Sequence, residues 1–556
     1  MRQHNLWRIF DAVAEAKADQ AAIRWRGRST TYRQLRDRAI RFANVLHDHG
    51  IGLHAERRDL QPWESGQDLV ATYLLNSPAY LEVGLGGSAA RAAPFNVNHH
   101  YVADELAHLL RDASPRTVVY HARFAEQLAE VLPALPVPPL LLHVADDTGR
   151  AMLPGAVDLD AALAGASPEL AVEGHDPDDL YVLYTGGTTG MPKGTLWRQA
   201  DIWLSALGGD FLPEATLPEI VDAATGDDRP RFLPNAPFMH AAAHWTALRT
   251  LLAGGTVVVN GVVDRLDPVD VWTSVAAEHV DMTMMVGEAF ARPLLDELES
   301  GAHDPSSLAV LVLGGAPTSI ETKRRILELL PDVLLVDGAG STETGGALRA
   351  VAVAGRVGQA GVFKPSPGTA VLDHALQRVV EPGHAEPGWF AKRGAIPLGY
   401  LGDEAKTRAA FPVVDGVRWA VPGDRARLLA DGTVQLLGRE ATTVNTGGEK
   451  VFGEEVEAAL LAHPAVEDVL VVGRDSDRWG QEVVAVVALR DEVDDADLLE
   501  AASSRLARFK VPKAIVRVEQ VRRSPAGKAD YAWARAVASA AGAAPAPSTD
   551  AEDSHG

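Results

Sequence analysis

Short apolar runs alternate with helical patterns along the first two thirds of the chain. Runs at residues 68–75, 180–184, 281–286, 308–313 and 333–336 are typical of buried strands, and helical patterns follow several of them. Strands that alternate with helices predict parallel sheets with both faces covered. We therefore expect a large α/β domain.

The pattern changes after about residue 355, where short strands and Gly- and Pro-rich turns predict a β-rich subdomain. Residues 438–448 have little periodicity and are interpreted as a connector, and a small α+β unit follows. The Ala-, Pro-, Ser- and Asp-rich tail has the composition of a disordered segment. The predicted domains are a large domain 1–437, a hinge 438–444, a small α+β domain 445–535 and a disordered tail 536–556.

Composition excludes several classes of function. The 556 residues carry 52 Lys and Arg against 75 Asp and Glu, a net charge of −23, which argues against nucleic acid and anionic membranes as partners. The absence of cysteine removes disulfides, thiol nucleophiles and Cys-based zinc sites. The start of the chain lacks the apolar core of a signal peptide, and no stretch is long enough for a membrane span. We expect a soluble cytoplasmic protein.

The segment with the most candidate ligand-binding residues directly follows the predicted strand that ends at Tyr184. The segment Thr185-Gly-Gly-Thr-Thr-Gly-Met-Pro-Lys-Gly194 combines glycines, threonines and Lys193. Glycines let backbone N–H groups approach an anion, while hydroxyl donors and a lysine add further contacts. The pattern favours a phosphate-binding loop, although its spacing is not that of the common P-loop. A Gly/Thr-rich surface turn is the alternative reading of the loop taken alone.

Two other patterns suggest other ligands. Residues 84–89 fit the G-x-G-x-x-A dinucleotide fingerprint, but they lie inside a helical pattern, so helix packing is the favoured interpretation. His240 and His244 share a helix face and could hold a metal ion, but the Glu of H-E-x-x-H is missing. We favour pocket lining for His240 and leave His244 open between pocket lining and a buried structural histidine.

The segment 185–194 resembles the signature loop of the adenylate-forming superfamily, which contains acyl-CoA synthetases, peptide-synthetase adenylation domains and luciferases. Four further segments match that superfamily in order, so the resemblance covers about residues 10–535: Gly314-Gly-Ala-Pro317, Asp337-Gly-Ala-Gly-Ser-Thr-Glu-Thr-Gly345, Trp419-Ala-Val-Pro-Gly-Asp424 and Arg523-Ser-Pro-Ala-Gly-Lys528. The subgroup most similar is the bacterial fatty-acid and steroid-type acyl-CoA synthetases.

The resemblance implies a role for each matching residue. Lys528 would be the catalytic lysine that bridges the substrate carboxylate and the α-phosphate, Thr342 would contact that phosphate, and Glu343 would bind Mg²⁺. The implied ATP-binding residues are Thr185, Gly186, Gly187, Thr188, Thr189, Gly190, Lys193, Gly315, Ala316, Pro317, Asp337 at the adenine, Gly340, Asp424 at the ribose, and Arg439. The acyl pocket would include His240, Met285, Gly287 and Gly314, and the coenzyme A tunnel would include Gly447 and Gly448.

The chain departs from the family pattern at two positions. Ala339 replaces an aromatic residue that stacks on adenine in many members, and Thr442 stands where the hinge usually has Asp or Lys. Ala339 cannot stack on adenine, so part of the nucleotide binding must come from other residues, and Thr442 changes how the hinge is set without removing it.

The implied reaction has two steps and uses a small-molecule carboxylic acid, ATP and coenzyme A. A hydrophobic carboxylate attacks the α-phosphorus of ATP, and the thiol of coenzyme A then attacks the acyl-AMP. One alternative is transfer of the acyl group to a carrier protein or an amine; another is a nucleotide sensor without catalysis, and a dehydrogenase would rest on Gly84 alone. The identity of the acid and a homodimeric state are left open.

Overall fold

The computed structural model describes residues 1–185, 192–226, 229–439, 442–446, 449–476, 480–506, 508–524, 527 and 529–542. These residues form 16 α-helices and 28 strands. The helices are α1 (Leu6–Ala16), α2 (Tyr32–Asp48), α3 (Pro78–Ala89), α4 (Ala103–Ala113), α5 (Ala125–Val131), α6 (Leu159–Gly165), α7 (Gln199–Ala206), α8 (Leu217–Thr225), α9 (Ala241–Leu252), α10 (Pro268–Ala277), α11 (Gly287–Leu298), α12 (Ile320–Leu329), α13 (Glu404–Ala410), α14 (Gly453–Leu461), α15 (Asp495–Ser503) and α16 (Tyr531–Gly542).

The strands, in chain order, are β1 (Ala21–Trp25), β2 (Arg28–Thr31), β3 (Leu69–Tyr73), β4 (Ala93–Asn96), β5 (Thr117–His121), β6 (Leu140–Val144), β7 (Val157–Asp158), β8 (Leu180–Thr185), β9 (Lys193–Arg198), β10 (Arg231–Leu233), β11 (Thr256–Val259), β12 (Met282–Met285), β13 (Val310–Leu313), β14 (Leu334–Ser341), β15 (Gly345–Ala352), β16 (Val362–Pro365), β17 (Thr369–Leu372), β18 (Gly388–Arg393), β19 (Gly399–Tyr400), β20 (Val413–Val414), β21 (Val417–Ala420), β22 (Asp424–Leu428), β23 (Val434–Arg439), β24 (Thr443–Thr446), β25 (Glu449–Phe452), β26 (Val466–Ser476), β27 (Gly480–Leu489) and β28 (Ala514–Val518).

The chain divides into two compact units, one made of residues 1–436 with Gly527 and the other of the remaining described residues from Leu437 to Gly542. The first unit contains a parallel five-stranded sheet of order β4-β3-β5-β6-β7. It also contains a 15-stranded sheet whose segment β1-β11-β10-β12-β13-β14 is parallel. The predicted α/β class is therefore confirmed. Seven strands between residues 362 and 439 extend the large sheet through antiparallel pairs, whereas β19 pairs with β9 in a separate three-stranded sheet.

The largest core lies against the parallel part of the large sheet. It contains apolar residues of helices α1, α2, α3, α9, α10 and α11 together with those of β11, β12 and β13. Helix α2 begins at the predicted position because the Thr31 side chain accepts a hydrogen bond from the Gln34 backbone N–H and the Gln34 side chain accepts one from the Thr31 backbone N–H. No helix among the described residues combines the length and hydrophobicity needed to cross a membrane.

The glycines of the G-x-G-x-x-A match serve helix packing. They lie inside α3 and not after a strand, as the dinucleotide fingerprint would require. A Cβ atom on Gly86 would lie 2.6 Å from the carbonyl oxygen of Ala39, and one on Gly87 would lie 2.2 Å from the ring of Pro94. The structure therefore favours the packing interpretation over a dinucleotide site.

The second unit has three layers. Its sheet has the order β25-β24-β27-β26, with β28 paired to β27. Val469 and Val471 face a core that includes residues of α14 and α15, whereas Leu470 and Val472 face residues of α16. Strands that are apolar on both faces need a covering layer on each side, and helices provide both layers here.

Two predictions about this unit are wrong in part. Residues 536–542 of the predicted disordered tail belong to α16, because an alanine-rich segment is a good helix former and Ala534 and Ala538 are fully buried against the sheet. Residues 443–446 of the predicted connector form β24, which pairs with β25 and β27 and buries Val444. Residues 543–556 lie outside the described residues.

Candidate active site

The Gly- and Thr-rich loop connects the antiparallel strands β8 and β9. Their register pairs Thr185 with Lys193 and Tyr184 with Gly194, so Lys193 stands at the base of the loop. A Cβ atom on Gly194 would lie 2.8 Å from the Tyr184 ring, which explains the glycine at that position. The loop residues to which phosphate binding was assigned, Gly186, Gly187, Thr188, Thr189 and Gly190, lie outside the described part of the chain.

Tyr400 connects Lys193 to Glu343. Lys193 Nζ lies 5.1 Å from the centroid of the Tyr400 ring, which is within range of a cation–π interaction. The Tyr400 hydroxyl donates to Glu343 Oε1 at 2.8 Å, and the Thr342 hydroxyl donates to Glu343 Oε2 at 3.0 Å. The structure thus brings Lys193, from one predicted motif, and the Thr342-Glu343 pair, from another, to the same tyrosine, with the ammonium over the ring and the carboxylate at the hydroxyl.

The turn that contains Thr342 and Glu343 is held from several elements. Trp197, in β9, donates from Nε1 to the Thr342 carbonyl at 2.9 Å. Lys392, in β18, donates from Nζ to the Thr344 carbonyl and to Ser205 Oγ, both at 2.8 Å. Burial lowers the pKa of Lys392 to about 8. These contacts fix the backbone on both sides of Glu343.

Three loops meet where the parallel strands β12, β13 and β14 end. Gly287 has φ +59°, and a Cβ atom there would lie 2.7 Å from Ala316 Cβ and 3.0 Å from the Pro317 carbonyl oxygen. A Cβ atom on Gly314 would lie 3.2 Å from the carbonyl oxygen of Gly338. Ligands of open α/β sheets bind at the carboxyl ends of the strands, so these predicted residues share one edge suited to a ligand.

Other predicted residues lie at the same edge. Met285 is fully buried at the end of β12, and Gly315 has φ +79° with its Cβ position 3.2 Å from a methyl group of Val286. A Cβ atom on Gly340 would lie 2.0 Å from the carbonyl oxygen of Gly345 in the neighbouring strand. The positive φ therefore accounts for glycine at position 315, and close backbone approach accounts for glycine at position 340.

Asp337, the predicted adenine contact, is paired with a lysine. Lys323 Nζ, on α12, donates to Asp337 Oδ2 at 2.5 Å, and both side chains are mostly buried. Ala339 packs against the apolar cluster that contains Phe363 and Phe390. The Lys323 ammonium orients the Asp337 carboxylate and compensates its charge.

The two histidines of the predicted acyl segment have different surroundings. His240 is half-buried and caps the N-terminus of α9, and His244 lies one turn further along this helix. His244 is buried, and its Nδ1 lies 2.9 Å from the Tyr181 hydroxyl. Among the described residues, no three His, Asp or Glu side chains are grouped so that they could hold a metal ion.

The remaining predicted residues are distributed over both units. Asp424 is half-buried and opens β22 after Gly423, whose φ of +97° requires glycine. Arg439 ends β23, and the catalytic lysine candidate Lys528 and the tunnel residues Gly447 and Gly448 lie outside the described residues. Their assigned roles stay predictions.

The motifs did not include four residues that support the site, and distance along the chain explains why. None of these residues lies in a recognisable sequence motif, and each supports the site through a tertiary contact: Tyr400, Lys392, Lys323 and Trp197. The one available signal was chemical: a lysine within the apolar strand pattern Trp389-Phe-Ala-Lys392 needs a buried partner.

Comparison with known proteins agrees with this geometry. The sequence model of the AMP-binding enzyme family matches residues 10–396, and that of the AMP-binding enzyme C-terminal domain matches residues 455–528. The medium-chain acyl-CoA ligase Mig of Mycobacterium avium is 49% identical over 95% of this chain and 97% of its own length. The 3-oxocholest-4-en-26-oate–CoA ligase of Rhodococcus rhodochrous is 38% identical over 96% and 95% of the two chains.

A solved structure shares the fold along the whole chain. The crystal structure of ATP-bound MatB from Rhodopseudomonas palustris superimposes on this structure with a TM-score of 0.76, and the match covers 96% of this chain and 99% of MatB. The two sequences are 26% identical. The family models cover more than half of the sequence, and the relatives match it nearly end to end. The chain therefore belongs to the AMP-binding enzyme family and is an AMP-forming acyl-CoA ligase, as its signature loop and its Thr342-Glu343 turn predicted.

Proposed function

We propose that the enzyme activates a hydrophobic carboxylic acid, of the medium-chain fatty or steroid side-chain type, and transfers it to coenzyme A. The observation that carries the proposal is the convergence of Lys193, Tyr400 and Glu343 beside Thr342, which provides a cation and an anion for a metal-bound nucleotide. The names of the Mycobacterium and Rhodococcus relatives support this choice of acid. Met285, fully buried at the end of β12, supplies an apolar wall.

The reaction forms and breaks one bond at each step. A carboxylate oxygen of the acid attacks the α-phosphorus of ATP, pyrophosphate leaves, and acyl-AMP forms. The thiol of coenzyme A then attacks the acyl carbonyl, the thiol proton is lost, and AMP leaves. We assign binding of the triphosphate to Lys193 and the loop 185–190, binding of the adenine to Asp337, and binding of the ribose to Asp424 and Arg439. We assign stabilisation of the charge that develops at phosphorus to Lys528, because a well-placed cation lowers the barrier to phosphoryl chemistry.

The donor set at Glu343 fits Mg²⁺. Its carboxylate oxygens and the adjoining Thr342 hydroxyl are hard oxygen ligands of the kind this ion prefers, and phosphate oxygens of ATP would complete the coordination. The bound ion would neutralise phosphate charge. Tyr400 and Thr342 orient the carboxylate toward such a ligand.

The small domain supplies the second part of the cycle in this proposal. The second unit from Thr443 onward turns about the part of the predicted hinge that precedes β24, residues 438–442, after adenylation, so that Lys528 withdraws and the Gly447-Gly448 segment lines the path of the thiol. The match of the C-terminal family model to residues 455–528 supports a separate domain. The cytoplasmic location stays a prediction, and the homodimer left open by the sequence is not assigned.

A substrate panel tests the proposal. Pyrophosphate release would be measured with fatty acids of graded length, steroid side-chain acids and aryl acids, with and without coenzyme A, and the product would be identified by mass spectrometry. We expect acyl-CoA with the hydrophobic aliphatic acids. Acyl-AMP without acyl-CoA would indicate a different acceptor, and absence of pyrophosphate with every acid would contradict the proposed function.

A further inference from the structure

Asn96 joins two segments of the chain that the proposed function assigns to different substrates. It is the last residue of β4 and is 6% exposed. Its Nδ2 donates hydrogen bonds to the carbonyl oxygens of Tyr184 and Met239, at 2.8 and 2.7 Å, and its Oδ1 accepts one from the Tyr184 backbone N–H at 2.8 Å. Because a backbone N–H can only donate and a carbonyl can only accept, these partners fix the orientation of the amide.

The first segment leads into the triphosphate site. Strand β8 lies at the edge of a three-stranded sheet of order β19-β9-β8. The Asn96 amide supplies at Tyr184 the donor and the acceptor that a further strand would supply at this edge. The next residue, Thr185, pairs with Lys193. Asn96 therefore holds the strand end from which the residues assigned to the triphosphate extend.

The second segment is the predicted start of the carboxylate pocket. Met239 directly precedes His240, whose backbone N–H donates to the Pro237 carbonyl oxygen at 3.0 Å. Residues 237–240 thus form a turn that leads into helix α9. By bonding the Met239 carbonyl group, Asn96 fixes this turn relative to Tyr184 with one planar amide between them.

Asn76 supports the same turn without this connection. It follows β3, the parallel neighbour of β4. Its Nδ2 donates to the Ala236 carbonyl oxygen at 2.8 Å, and its Oδ1 accepts from the Phe238 backbone N–H at 2.6 Å. Both of these bonds reach the acyl segment, and neither reaches β8. The two asparagines therefore separate support of the acyl segment from its connection to the triphosphate segment.

We propose that Asn96 is a positioning residue that couples the binding of MgATP to the binding of the acid. The inference rests on the proposed function, since it takes the triphosphate site and the carboxylate pocket as assigned there. A ligand that orders β8 also orders the turn at Met239 through the shared amide, so the second ligand binds a segment that is already held. The coupling is reciprocal, because each substrate raises the affinity of the other by the same factor.

Calorimetric titration of the intact enzyme tests the coupling. The probe is α,β-methylene-ATP with Mg²⁺, whose methylene bridge prevents release of pyrophosphate, and its Kd would be measured with and without saturating decanoic acid. We expect the acid to lower this Kd roughly fivefold or more in the wild type, and the probe to lower the Kd of the acid by the same factor. Asn96→Asp keeps the acceptor and the shape of the side chain but loses both donors, so both factors should fall close to one.

Asn76→Asp is the matched control. It makes the same chemical change on the same turn, so it should weaken binding of decanoic acid but leave the coupling factor at the wild-type value. A residue that only stabilises the fold would lower both affinities and leave this factor unchanged. Asn96→Ser, whose smaller side chain admits water to the freed backbone groups, gives the same test if Asn96→Asp does not fold.

Two results would overturn the inference alone. One is an equal Kd of the probe with and without the acid in a wild-type enzyme that releases pyrophosphate from ATP with decanoic acid, and the other is coupling that survives in the Asn96 variants. Absence of pyrophosphate with every acid of the substrate panel would overturn the proposed function and the inference with it.

Discussion

At the residue scale, a change at Tyr400 tests whether its hydroxyl orients the Glu343 carboxylate. Tyr400→Phe keeps the ring that faces Lys193 but removes the 2.8 Å hydrogen bond to Glu343 Oε1. A hydrogen bond to a charged group contributes about 1.5–3 kcal/mol, so we expect kcat/KM for MgATP to fall roughly tenfold or more. Adenylation rates measured as a function of Mg²⁺ concentration should show a higher requirement for the ion.

Tyr32→Phe is the matched control for that change. Its hydroxyl is equally buried and donates to backbone carbonyl oxygens of Leu251 and Gly255, far along the chain from the site residues. The control should lower thermal stability without changing the Mg²⁺ requirement. An unchanged Mg²⁺ requirement in Tyr400→Phe would mean that the phenol does not orient Glu343.

Lys392 acts on the same turn through charge. Its ammonium donates to the carbonyl groups of Thr344 and Gly346 and to Ser205 Oγ, and burial lowers its pKa to about 8. Above that pH the amine has only two protons for three oxygen acceptors. We expect wild-type adenylation to decline as pH rises through about 8 and Lys392→Met, which removes the titrating amine, to be slower throughout and to lack that decline. The measurement is a pH profile of single-turnover adenylation, and identical profiles would exclude the lysine as the cause.

At the scale of elements, the sequence predicts strands and helices from local patterns, but it does not predict which distant elements come into contact. The runs ending at Val286, Leu313 and Val336 predicted parallel strands, and the glycines and Asp337 after them lie at their carboxyl ends as the motifs implied. The supports of the Thr342-Glu343 turn come from β9, β18 and β19, which no short pattern connects to it. These supporting residues can be identified only from the tertiary contacts of the folded chain.

The strand pattern of the second unit contains evidence for a covering layer such as helix α16. The strands β26 and β27 are apolar at consecutive positions, so both faces of their sheet must be covered. Helices α14 and α15 cover one face, and the disordered tail predicted from residue 536 would leave much of the other face without a layer. The alanine-rich composition of 536–542 suggested disorder, but burial of Ala534 and Ala538 stabilises the helix.

Glu457 links three elements of the second unit and makes its stability depend on pH. Its carboxyl group, on α14, accepts from the Val471 backbone N–H at 2.8 Å and lies 3.3 Å from the Tyr531 hydroxyl of α16. Burial raises the pKa of Glu457 from 4.5 to about 8. The protonated form therefore favours the folded state, and this contribution is complete below pH about 4.5 and is lost as pH rises to about 8.

Glu457→Gln should remove that dependence. Chemical denaturation monitored on the second unit should show a Glu457-dependent loss of up to about 1.4 kcal/mol per pH unit between these limits in the wild type. The Gln variant should be more stable at pH 8 and flat across the range. Parallel pH profiles for the two proteins would show that the carboxyl group is already ionised in the folded state.

For the whole molecule, the proposed function gives a residue of the second unit a role in the first half-reaction only. Lys193, Thr342 and Glu343 belong to the first unit, whereas Lys528 follows the strands of the second. If Lys528 supplies positive charge only while the α-phosphorus is attacked, Lys528→Gln should slow adenylation by about two to three orders of magnitude, the size of effect seen when one electrostatic contact to a transition state is removed. Thioester formation from supplied acyl-AMP should stay within a few-fold of wild type. Lys513→Gln, a lysine of the same unit outside the Arg523–Lys528 segment, is the control and should leave adenylation at the wild-type rate.

The comparison of the two half-reactions decides between a catalytic and a structural lysine. A structural role would lower both rates together, because the second unit would be misfolded or displaced in each step. A catalytic role lowers only the first, since coenzyme A attacks the acyl carbonyl of an acyl-AMP that is already formed and no longer needs a cation at an α-phosphorus under attack. Adenylation at full rate in Lys528→Gln would show that the transition state is stabilised without this ammonium, and the role proposed for Lys528 would then be wrong.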